Sequence, residues 1–179
     1  MADSISKSYA QALMDLFDEN NIKYEIGIND LKDINTIISD KDCMSFLLHP
    51  GIPKVDKEEL LNKSFKDYNN TIRSFILVLL ENKRIDLLSD IISALEDRID
   101  EINNILRVEV ISSNTISDEY YNKIIKVLEN NYQKKIIGKV TIDKDIIGGI
   151  KVLINGKVID DTLLNRLNSI RNSIINGAN

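Results

Sequence analysis

The sequence predicts a mostly α protein of the α+β kind, built as two units. An all-helical N-terminal unit covers residues 1–106, and a smaller α/β unit with a β-hairpin covers 107–179. Three observations carry this. Apolar residues recur at spacings of three and four up to Leu106. The period changes to two at Arg107-Val108-Glu109-Val110. Asn155-Gly156 then stands between two short apolar-alternating segments, the strongest short hairpin signal, because a type I′ turn needs positive φ at both central residues.

In chain order, Ser4 or Ser6 is placed to cap a helix with Ile5, Tyr9, Leu13, Leu16 and Phe17 on one face. A second helix carries Tyr24, Ile28, Leu31, Ile34 and Ile38. A short third, Cys43 to Leu48, should stop at His49-Pro50-Gly51, since the residue before proline avoids the α region. Asp56 and Glu59 resemble a capping box leading into Leu60, Leu61 and Phe65. Asn70 is placed to cap Thr71 to Asn82. Ile85, Leu88, Ile92, Leu95, Ile99, Ile102 and Leu106 then read as one long helix with an a/d seam. A bundle fits this seam better than a free coiled coil, because the preceding short helices need a surface to bury against.

After the first strand, Ser117 caps a helix bearing Tyr121, Ile125, Leu128 and Tyr132. Val140 and Ile142 mark a second strand. Ile150, Val152 and Ile154 share a face of a third, and Lys157 to Asp160 returns as its partner. A last helix from about Thr162 carries Leu163, Leu167, Ile170 and Ile174.

The 179 residues include 43% hydrophobic and 28% charged, ordinary for a globular chain with a core. No apolar run reaches the roughly 20 residues of a membrane helix. Met1-Ala2-Asp3-Ser4 has no basic n-region or h-region, so secretion and import are not expected. Up to Leu106 there are 12 Lys+Arg against 20 Asp+Glu, and 11 against 8 thereafter. The acidic front argues against nucleic acid, whose phosphates need clustered cations.

Chemistry is sparse. His49, at a helix end beside Pro50, reads as a capping or surface histidine rather than a general base, since no nucleophile lies near it in sequence. Cys43 is alone, so no disulfide or cysteine metal cage forms. A helix N-terminus can lower a thiol pKa, yet a buried inert thiol is the better reading. Ile147-Gly148-Gly149 lacks the Gly-Lys-Ser/Thr of a phosphate loop and reads as a bulge or tight turn. Asp143, Asp145, Asp160 and Asp161 match no calcium-loop spacing and read as turn and cap residues. No cofactor and no metal are expected. Phe75 to Leu80 is apolar all round, which fits burial on several sides, or one side turned to a partner.

Four stretches resemble, in order, the delta subunit of F-type ATP synthase, the homologue of mitochondrial oligomycin-sensitivity-conferring protein. They are Tyr9-Ala10-Gln11-Ala12-Leu13; Leu48-His49-Pro50-Gly51-Ile52; Phe75 to Arg84; and Ile142 to Val152, continuing through Asn155-Gly156-Lys157-Val158-Ile159-Asp160 to Arg166-Leu167. The signature positions are Asp143, Gly148, Gly149, Asp160 and Arg166. The chain departs from the pattern at Asp161-Thr162-Leu163-Leu164, where the family has a small residue and a basic pair; only Arg166 remains basic.

The resemblance implies a six-helix N-terminal bundle and a non-catalytic stator subunit that resists torque during rotary ATP synthesis. It implies that the bundle binds the N-terminal helix of an alpha subunit. The 107–179 unit would face the C-terminal region of the b subunit. The contact with the membrane would be indirect, through the complex, with one copy per complex. The expected location is the cytoplasmic face of a bacterial cell membrane, with the stromal face of a plastid thylakoid as runner-up. The helices Ile5–Phe17 and Ile72–Leu80 are expected to form the groove, with Tyr9, Leu13, Phe17, Ile72, Phe75, Ile76 and Leu79 as the contact residues. On that reading Leu79→Asp should release the partner peptide from a folded bundle. The competing expectation is a helical adaptor that dimerises through the Ile85–Leu106 seam.

Overall fold

The computed structural model of the chain describes residues 2–146, 149–154 and 157–160. It divides into two compact units, Met1–Ile99 and Asp100–Asn179. The protein is mostly helical with one small sheet.

Helix α1 spans Ala2–Glu19, α2 Tyr24–Ile38, α3 Lys41–Leu48, α4 Lys54–Ser64 and α5 Asn70–Glu81. A 3-10 turn at Ile85–Leu87 leads into α6, Leu88–Ile102. These helices bury one apolar cluster, which includes Leu13 and Phe17 of α1, Leu31 and Ile34 of α2, Ile72, Ile76 and Leu79 of α5, and Ile91 and Leu95 of α6.

The helix starts differ from expectation for local reasons. α1 begins before both candidate cap serines. Ser6 instead faces inward, and its buried hydroxyl has no hydrogen-bond partner among the described residues. At α3 the carboxylate of Asp40 accepts from the amides of Asp42 and Cys43 at 3.0 and 3.3 Å, which starts the helix at Lys41. Pro53, not Asp56, stands at the cap position of α4. Asp56 lies in the first turn, where a carboxylate favours the positive end of the helix. Asn69 caps α5 by accepting from Thr71 N at 2.8 Å; the neighbouring Asn70 side chain is engaged by Arg73 at 2.5 Å. α5 closes with a Schellman-type pair, Lys83 N to Leu80 O and Arg84 N to Leu79 O, with Lys83 at φ 54°.

The expected helix through Leu106 is shorter. Asn104 takes φ 55°, a left-handed conformation that asparagine tolerates and that ends a helix. The three-and-four spacing continues through Ile102 and Leu106, but the backbone does not. Ile102 is 55% exposed, and Leu106 lies in the first strand, buried in the second unit. The expected boundary at Leu106/Arg107 therefore falls inside a strand. Ile85, Leu88, Ile92, Leu95 and Ile99 are all buried in the first unit's own core, so most of the seam is already covered and the dimerising adaptor loses its interface.

In the second unit, strand β1 is Ile105–Ser112, helix α7 Asp118–Tyr132, β2 Lys135–Ile142, β3 Ile150–Ile154 and β4 Lys157–Asp160. The sheet order is β2-β1-β3-β4. β1 and β2 are parallel, pairing Ile105 with Lys135 through Ser112 with Ile142. A parallel pair needs a crossover, and α7 supplies it. Ser117 caps α7 by accepting from Tyr120 N. β3 runs antiparallel to β1 and to β4, with Ile154 opposite Lys157, as the hairpin reading requires. The Asn155-Gly156 turn itself and the helix expected from Thr162 lie outside the described residues. Leu106, Val108 and Val110 of β1 pack with Leu128, Ile136, Val152 and Ile154 into a second core.

Candidate functional site

The α1–α5 face is built by two stripes. On α1, Tyr9, Leu13 and Phe17 recur every four residues. On α5, Ile72, Phe75, Ile76 and Leu79 recur every three or four, so each set lies on one helix side. The structure turns both sets inward. Leu13, Phe17, Ile72, Ile76 and Leu79 are fully buried, Phe75 nearly so, and Tyr9 is half-buried. They are the core seam of the first unit, so they do not present an open surface. Leu79→Asp would place a carboxylate in the core and unfold the unit before it tested any partner.

An open groove does exist on the same pair of helices, one row further out. Its volume is about 400 Å³. α1 and the residue following it contribute Tyr9, Ala12, Leu16 and Asn20; α5 contributes Asn70, Thr71, Ser74, Phe75 and Val78. Only Tyr9 and Phe75 belong to both rows. The small side chains of Ala12 and Ser74 keep the groove from filling. Leu16 (36% exposed) and Val78 (43%) offer apolar surface to it. The signal was present in the sequence: Ala12, Leu16 and Asn20 are spaced by four, as are Asn70, Ser74 and Val78. The stronger apolar stripe beside it, which belongs to the core, masks it.

Tyr9 is held from two sides. Its ring meets Phe75 edge-on, with centroids 6.1 Å apart at 75°; such pairs contribute about 0.5–1.5 kcal/mol. Arg84 Nη1 donates to the Tyr9 hydroxyl at 3.1 Å, and the guanidinium carbon lies 5.6 Å from the ring centroid. The Schellman closure of α5 positions Arg84 for this.

The other candidate residues have local roles. His49 is exposed, and its Nδ1 accepts from Gly51 N at 3.0 Å, closing the Pro50 turn. Burial, and secondarily the Asp40 carboxylate, push the Cys43 thiol above its ordinary pKa. This is opposite to the lowering a helix N-terminus can bring. Asp143 donates its amide to Ser112 O, and its carboxylate accepts from Asp145 N at 3.0 Å, a turn at the end of β2. Gly149 has φ 85°, which explains glycine there. Asp160 ends β4 opposite Lys151. Gly148, Asp161 to Leu164 and Arg166 lie outside the described residues. Among the described residues no group of three or more His, Cys, Asp or Glu could hold a metal ion, and no helix is long and apolar enough to cross a membrane.

Two units of this kind, with the Tyr9 and Phe75–Arg84 stretches meeting at one groove, can be compared with known proteins. The family model of the ATP synthase delta (OSCP) subunit matches residues 5–174. The chain belongs to that family. It is 36% identical over 177 residues to the ATP synthase subunit delta of Clostridium botulinum (strain Kyoto / Type A2), covering 98% of both chains. It is 34% identical over 173 residues to that of Clostridium perfringens (strain ATCC 13124), covering 96% of both. The fold is similar to that of a chain in the cryo-EM structure of the Toxoplasma gondii mitochondrial ATP synthase hexamer. The TM-score is 0.66 at 16% identity, over 95% of this chain and 97% of the other. As a family member the chain is a peripheral-stalk component of F-type ATP synthase, an accessory subunit and not a catalytic one.

Proposed function

We propose that this chain ties the catalytic head of the enzyme to its stalk through two separate surfaces. The first unit, folded as a six-helix bundle, takes the N-terminal helix of an alpha subunit into the α1–α5 groove. The second unit meets the C-terminal region of the b subunit. The protein works as a single copy in the complex, at the cytoplasmic face of a bacterial membrane that it touches only through its partners.

The observation that supports this reading is the groove of about 400 Å³ with Leu16 and Val78 exposed on its two helices. An amphipathic helix lays apolar anchors at i, i+3, i+4 and i+7 into such a groove. Nanomolar affinity corresponds to about −12 kcal/mol, which a few well-seated anchors supply. A stator needs such durable contacts and no reactive groups.

Co-purification tests the reading. Tagged full-length protein should bring down both alpha and b subunits from cells. Val78→Asp should lose alpha and retain b. Retention of alpha by a folded Val78→Asp protein would remove the groove from the function.

A further inference from the structure

A second cleft lies in the first unit, and it shares no lining residue with the α1–α5 groove. It has a volume of about 290 Å³ and sits where the end of α3, the Pro50 turn, the start of α4 and the end of α5 converge. Its floor is apolar: Leu47, Leu80 and Ile85 are buried there, and Leu48 is 47% exposed at the lip. Three of its lining residues are lysines, Lys54, Lys57 and Lys83, against one carboxylate, Glu81.

The lysines are not equally engaged. Lys54 bridges Glu81 at 2.6 Å and Glu58 at 3.2 Å. Lys57 Nζ donates to His49 O at 2.7 Å, which ties the start of α4 to the turn. Lys83 is exposed and has no carboxylate partner among the described residues; its backbone is fixed at φ 54° by the closure of α5. Up to Leu106 the chain carries a net charge of −8, so a local excess of cations around an apolar floor is a specific feature of this cleft. Apolar floor and cationic rim together select a ligand with apolar anchors and carboxylates.

We infer that this cleft is a second docking site on the first unit, and that it takes an acidic amphipathic segment of a partner protein. The apolar side chains of the segment enter beside Leu48 and Ile85, and its carboxylates meet Lys83 and Lys57. Such contacts weaken with salt, because the rim is exposed.

The test uses the full chain and two synthetic 14-residue amphipathic probes, one with leucine and glutamate, the other with lysine in place of every glutamate. Fluorescence anisotropy should show the acidic probe binding, with affinity falling as salt rises, and the basic probe not binding. Lys83→Glu and Leu48→Asp should each weaken the acidic probe at least tenfold, with circular dichroism and melting unchanged. Val78→Asp should leave its affinity unaltered. Equal binding of both probes, unchanged affinity in Lys83→Glu, or loss of affinity in Val78→Asp would overturn the assignment. The last outcome would place the probe in the α1–α5 groove instead.

Discussion

Gly27 decides how closely α2 approaches α1. A Cβ at this position would stand 2.5 Å from Cε2 and Cζ of Phe17, whose ring is fully buried and has no room to swing away. Alanine in a helix normally gains up to about 1 kcal/mol over glycine, but overpacking a core costs about 1–3 kcal/mol. Gly27→Ala should therefore lower the urea midpoint, against the usual direction. Asp30 provides a pH signature. Burial, then the nearby Asp33, raises its carboxyl pKa in the folded protein. The folded state thus holds the proton more tightly than the unfolded one, so ionised Asp30 costs stability above the raised pKa. The cost fades as pH falls from the raised pKa towards the ordinary carboxylate value of about 4, and is gone below it. Asp30→Asn should raise the melting temperature at pH 7, and the difference should vanish near pH 3. At this scale the sequence is only partly legible. The sequence points to Asn70 as the cap of α5, but the side chain that accepts from Thr71 N is that of Asn69, while Asn70 is engaged by Arg73.

The elements meet at their ends. α6 and α7 each lead into a strand of the parallel pair through a left-handed residue, Asn104 at φ 55° and Gln133 at φ 54°. Asn104 Nδ2 donates to Gln133 O at 3.1 Å, and Lys135 N donates to Asn104 O at 3.0 Å. This junction sets the register that starts with Ile105 opposite Lys135. Asn104→Ala loses the side-chain bond and the short polar side chain that lets asparagine tolerate the left-handed region, together about 1.5–3 kcal/mol. Asn104→Gly loses the bond but also removes the Cβ, which offsets part of that loss at positive φ. Chemical denaturation should rank them wild type, glycine, alanine. The seam through Leu106 misled because periodicity measures which residues are apolar, not where the backbone turns. Asn103-Asn104 carried the stop signal in the sequence. Elements with local signals, such as the Ser117 cap and the alternating β3 and β4 segments, were legible. The parallel pairing of β1 with β2 was not, because it joins segments about 30 residues apart and leaves no local mark.

At the scale of the molecule, the family was legible because its marks are spread over the chain from Tyr9 to Asp160. The groove was legible only as a pair of helices. Burial ranks the most apolar stripe first for the core, so the residues left to line the open groove belong to the weaker stripe beside it: Ala12, Leu16, Ser74 and Val78 in place of Leu13, Phe17, Ile76 and Leu79. This shift separates stability from binding. Val78 is exposed enough to carry a charge without disturbing the core, whereas Leu79 is not. The most direct test is calorimetric titration of the full chain with a peptide corresponding to the alpha-subunit N-terminal helix. Wild-type protein should bind it, and Val78→Asp, with unchanged melting temperature, should bind it at least tenfold more weakly. Equal affinity in a folded Val78→Asp protein would contradict the account.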